Sequence, residues 1–174
     1  CCAAAVISSV LLLGSDSRVF IKWWLAVLIL GIGFLPVTFC LFDSFKDKGW
    51  IFSKALGIAA SGFISYVIIT TGIGKFNTPF VVICTFALIA LCLIFYYIKV
   101  KNNTGFSASL KKKTADISID LIIFEELLFL ILFLLWTYCA GFTPEAHGTE
   151  KFMDYGFMAA MMRYTSIPAR DMWY

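Results

Sequence analysis

Four stretches of about twenty or more residues are predominantly apolar, and that property decides what surroundings this chain can fold in. They run over about 19–42, 50–73, 80–98 and 117–142. A helix needs about 20 apolar residues to cross roughly 30 Å of hydrocarbon, so each is long enough to span a bilayer. Residues 1–13 read as the tail of a further span, and the chain is expected to be a piece of a longer protein. With 61% hydrophobic and 14% charged residues, it exceeds what a soluble domain of this size can bury. The expected fold is all-α: polytopic transmembrane helices over 1–142, then 143–174 as an extracytoplasmic loop with an amphipathic helix.

The polar breaks set the expected boundaries. Gly14-Ser15-Asp16-Ser17-Arg18 interrupts the first apolar run, and Pro36 predicts a kink in the span that follows. Lys22 near the start of one span and Lys54 one turn inside the next can both snorkel outward. Gly57, Ala60, Ser61, Gly62 and Ser65 are small residues that allow close helix approach. The six cysteines lie in or beside apolar runs without CxxC spacing and read as packing residues.

Basic residues give the orientation. Lys99, Lys101, Lys111, Lys112 and Lys113 fill one connection, and alternation puts the Lys46/Lys48 loop on the same side. The positive-inside rule makes that side cytoplasmic, with the Lys75 turn and the segment after Phe142 outside. The expected location is the cell membrane, multi-pass. A net charge of +3 gives no reason to expect nucleic acid as a partner; the lipid bilayer is the partner the composition demands.

Two groups of acids stand out. Glu125 and Glu126 lie about two turns inside the fourth span, where a carboxylate costs roughly 2.5–3.5 kcal/mol against lipid. At least one is expected to meet another helix or a polar cavity. Pro144 to Asp154 is the densest polar cluster, with His147 as the one histidine. A helix from about Thr149 to Tyr164 would carry Met153, Phe157, Ala160, Met161 and Tyr164 as one apolar stripe. Glu150 and Asp154, four apart, would share one edge of it, with Lys151 and Arg163 elsewhere on the wheel. From spacing alone the two acids fit a helix start on a solvated face, and Arg170-Asp171 reads as an ordinary charged loop.

Gly148-Thr149-Glu150-Lys151-Phe152-Met153-Asp154-Tyr155-Gly156-Phe157, then Ala160, Arg163, Pro168, Asp171 and Trp173, resembles the signature of the YYY-domain membrane proteins. Lys48-Gly49-Trp50 through Ser53-Lys54-Ala55-Leu56-Gly57 is similar to that family's first cytoplasmic loop and second span. Phe152 stands where the family pattern has Pro, and Cys139-Ala140-Gly141 lacks an Arg that many members carry. The family is similar in layout to GT-C glycosyltransferases, polytopic enzymes that use polyprenyl-phosphate sugars at the outer membrane face. The resemblance implies a lipid-linked sugar as substrate, with Asp154 and Glu150 as candidates to orient or deprotonate the acceptor. Lys151, Arg163 and Arg170 are the implied phosphate-binding residues, and a divalent metal ion is the implied cofactor candidate. The alternative is a non-catalytic membrane protein, a transporter or an envelope-complex scaffold.

Overall fold

The computed structural model describes residues 2–42, 44–102, 117–142 and 151–167. They form six α-helices, and no strand occurs among them. In chain order these are α1 (Cys2–Leu13), α2 (Ser17–Leu41), α3 (Trp50–Thr70), α4 (Thr78–Asn102), α5 (Ile119–Gly141) and α6 (Lys151–Arg163). Three helical stretches are long and apolar enough to cross a membrane: Ile7–Leu41, Trp50–Thr70 and Thr78–Asn102. The chain is therefore an all-α polytopic membrane protein. The 23-residue α5 carries Asp120, Glu125 and Glu126 among otherwise apolar side chains.

The chain divides into two compact units, Cys1–Ile58 with Ile89–Phe142, and Ala59–Leu88 with Thr143–Tyr174. In the first, the polar break after α1 is not the loop its composition suggested. Gly14–Asp16 form a single 3-10 turn, so helix continues from Ile7 to Leu41. Gly14 adopts φ +55°, a conformation costly for a side chain with a Cβ, and the Ser17 hydroxyl donates to the Gly14 carbonyl at 2.7 Å. These two local devices satisfy the backbone where polar residues would otherwise end the helix. α2 then runs through Pro36 as one element.

α5 lies antiparallel to this long helical stretch. Phe20 stacks on Phe133 with ring centres 4.7 Å apart, Trp24 reaches back to Glu126, and Ser8 and Leu12 lie beside Leu134, Leu135 and Tyr138. Phe20, Leu130 and Leu134 are the buried apolar centre of the contact. Glycines bring α2 close to its other neighbours. A Cβ on Gly33 would stand 2.7 Å from Ile89 of α4, and one on Gly57 3.1 Å from Leu30.

The α2–α3 connection is built on aromatic rings. Phe42, Phe45 and Phe52 stack on one another, and Gly49, at φ +76°, sits so close that a Cβ would meet the Phe42 ring at 2.7 Å. The Asp47 carboxylate accepts the Trp50 backbone N–H at 2.8 Å and so starts α3. The Ser118 N–H donates to the Lys46 carbonyl at 3.2 Å. That bond brings the start of α5 beside the α2–α3 loop.

In the second unit α3 ends at Thr70 and α4 restarts at Thr78. The Phe76 N–H donates to the Thr165 carbonyl at 2.6 Å, which ties the C-terminal end of α6 to this turn. Of the small residues expected to mediate close packing, Ser61 and Ser65 are buried, whereas Gly62 faces open space.

Candidate functional site

The best-organised polar site lies between α2, α3 and α5, and it corrects the expectation for Lys54. Lys54 does not snorkel to the surface. It is buried, and its ammonium pairs with the Glu126 carboxylate. Four residues into α3 and seven into α5, the two residues lie about 6 and 10 Å inside the N-terminal ends of their helices. Both helices start at the same end, so the charges meet at similar depth.

The carboxylate has two further donors. Trp24 Nε1 donates to Glu126 Oε1 at 2.8 Å, and Trp50 Nε1 donates to Oε2 at 2.9 Å. One acid therefore binds α2, α3 and its own helix together. The ammonium lies 4.2 Å from the centre of the Phe129 ring and 5.4 Å from that of Trp50, within cation–π range. A buried pair recovers its desolvation cost only where further hydrogen bonds and polar contacts support it, and here two indole donors and two aromatic faces do so. Trp24 and Trp50, both half-buried, thus act as hydrogen-bond donors inside the bundle.

Glu126 thus meets the expectation that one of the adjacent acids contacts another helix. Glu125, about 100° around the helix, is half-buried. Its Oε2 has no partner among the described residues, and its charged neighbours are Asp47 and Lys54.

Gly31 makes room for the pair. A Cβ there would lie 2.8 Å from Lys54 Cγ and 3.2 Å from Ser53 Oγ. Gly31→Val is expected to lower stability by about 1–3 kcal/mol through overpacking, read as a lower melting temperature in detergent. Gly62→Ala, with nothing within 4 Å of the new methyl, is expected to be neutral or to stabilise by up to about 1 kcal/mol. Equal effects from the two substitutions would remove the close-approach account.

The candidate residues from the polar cluster are placed differently. Lys151 opens α6, and Asp154 is exposed in its first turn. Arg163 is exposed in the last turn, twelve residues and about 18 Å from Lys151. His147, Glu150 and Arg170 lie outside the described residues, as do Lys111, Lys112 and Lys113. Of the expected apolar stripe only Ala160 is buried. Met153, Phe157, Met161 and Tyr164 are exposed, and so are Tyr155, Met158 and Met162 on other sides of the helix. α6 is therefore apolar around most of its circumference rather than along one stripe. Among the described residues no group of three or more His, Cys, Asp or Glu side chains could hold a metal ion.

Apolar spanning helices, tied together by an ion pair inside the bundle, define an integral membrane protein of the polytopic all-α class. The family described as "Uncharacterized membrane protein (DUF2298)" matches residues 60–174, about two-thirds of the chain, and the chain belongs to that family. No curated protein and no solved structure matches it.

Proposed function

We propose that this chain is the N-terminal membrane part of a YYY-domain glycosyltransferase of the GT-C type, which consumes a polyprenyl-phosphate-linked sugar at the outer face of the cell membrane. Asp154 carries the reading. It belongs to the Gly148–Asp154 motif and stands exposed in the first turn of a helix that follows the last apolar segment. Transfer from a lipid phosphate needs a carboxylate to orient or deprotonate the acceptor hydroxyl, and Asp154 is that group. Glu150, one turn earlier in sequence, assists it or shares a divalent metal. Lys151, three residues before Asp154, serves the departing phosphate, and Arg163 and Arg170 extend the cationic surface.

The reading requires α6 and the basic loops to lie on opposite sides of the membrane, with α5 as the fourth span. Cysteines introduced at Lys46 and at Asp154, both exposed, are expected to label from the inside and the outside respectively. Labelling of both from one side would remove outer-face chemistry. The decisive experiment supplies the reconstituted full-length protein with a radiolabelled polyprenyl-phosphate sugar and measures release of the sugar. No release with any lipid-linked sugar offered, from correctly inserted protein, would overturn the proposal.

A second reading, a transporter, is favoured by one observation: an ionisable pair inside a membrane bundle often marks an ion or substrate pathway. It predicts that substitution of Glu126 stops function while substitution of Asp154 does not.

A further inference from the structure

At the turn where α3 gives way to α4, a groove of about 340 Å³ opens between the first turns of α4 and the end of α6. Phe76, Asn77, Thr78, Val81, Val82 and Met162 line it. Its volume lies at the small end of the roughly 300–1,000 Å³ typical of ligand cavities. α3 and α4 are both long and apolar enough to cross the membrane, so the turn between them marks where the chain leaves the hydrocarbon. Asn77 and Thr78 stand at this polar level. From Thr78 the lining descends to Val82, about 6 Å along α4, and becomes apolar. A polar mouth over an apolar floor has the outline of a lipid.

Charge selects which lipid. Lys75 immediately precedes Phe76, and Arg163 immediately follows Met162, so each side of the lining has a cation next to it in sequence. Both are exposed, and neither has an ion-pair partner among the described residues. Asp154 is the one acid among the described residues 59–88 and 151–167. It lies eight residues before Met162 on the same helix, about 12 Å away. Among the described residues, neither the lysine nor the arginine is paired with a carboxylate. The backbone bond from Phe76 to Thr165 holds the two sides of the groove together.

We infer that this groove binds an anionic phospholipid of the surrounding leaflet, with part of one acyl chain against Val81, Val82 and Met162 and the headgroup phosphate between Lys75 and Arg163. The bound lipid would cover part of the apolar circumference that α6 leaves open. The inference gives Arg163 a second role beside the one proposed in sugar transfer, and it is tested without any activity measurement.

The experiment is native mass spectrometry of the detergent-purified full-length protein, titrated with phosphatidylglycerol or phosphatidylcholine of matched chains. Each cation near an anionic headgroup contributes about 1 kcal/mol, so phosphatidylglycerol is expected to bind about tenfold or more tightly. Lys75→Gln with Arg163→Gln should abolish that preference while weaker binding of both lipids persists. These side chains are exposed, so the variant tests charge without disturbing packing. Val82→Trp should fill the floor and reduce binding of both lipids at least tenfold. Equal affinity for the two lipids, or a preference that survives the double substitution, would overturn the inference. Displacement of phosphatidylglycerol by an equimolar polyprenyl phosphate would assign the groove to the isoprenoid lipid instead, and overturn it as well.

Discussion

Lys54→Met and Glu126→Leu, made singly, are each expected to destabilise the protein by about 3–5 kcal/mol, because each leaves an uncompensated charge inside the bundle. Lys54→Met leaves the carboxylate to the two indole N–H groups, while Glu126→Leu leaves the ammonium facing the Phe129 and Trp50 rings. The double variant removes both charges and their desolvation, and it should be clearly more stable than the sum of the single losses implies. It does not return to wild type, since the Trp24 and Trp50 N–H groups then lack their acceptor, at about 1–3 kcal/mol each. Unfolding in mixed micelles with rising denaturing detergent reads all three variants, and the cycle gives a coupling of up to about 3 kcal/mol. Single losses below about 1 kcal/mol with no coupling would show the pair to be incidental. Trp50→Phe removes one donor and keeps an aromatic face, so it should fall between wild type and the single charge variants.

What the sequence disclosed follows from which properties are local. Long apolar runs announce helices that need lipid, because length and hydropathy are properties of consecutive residues. Close helix approach was partly legible. Gly57 does let α2 and α3 meet, but Gly62 on the same helix faces open space, and only the rotation of the helix separates the two. Lys54 was misread for a related reason. A lysine one turn inside a span can snorkel, and nothing within α3 says whether a partner waits at the same depth. The signal existed across segments. Trp50 and Lys54 are four apart on one helix face, and Glu126 lies at similar depth from the same end once the basic loops are placed together. Matching depths between spans would have paired them; a one-segment reading could not. Gly14–Asp16 misled in the opposite sense, since polar composition suggests a loop whereas one glycine at positive φ and one serine hydroxyl keep the helix going.

In the full-length protein, Asp154→Asn is expected to leave insertion and fold intact and to reduce lipid-linked sugar consumption by about 10²–10⁴-fold, the usual loss when a general base is removed. The substitution preserves the size of the side chain and takes away the charge. Asp154 is exposed and makes no contact that the helix depends on among the described residues, so unchanged melting with lost turnover would isolate a chemical role. Asp154→Glu separates chemistry from placement: a carboxylate moved by one methylene should retain part of the activity that the amide loses. Glu150→Gln distinguishes the roles within the pair. If Glu150 holds a metal jointly with Asp154, added divalent ion should partly restore the Gln variant; if it only begins the helix, the variant should be near wild type. Wild-type turnover in Asp154→Asn would return both acids to the solvated start of α6, and the intramembrane pair of Lys54 and Glu126 would then be the polar site on which a function has to be sought.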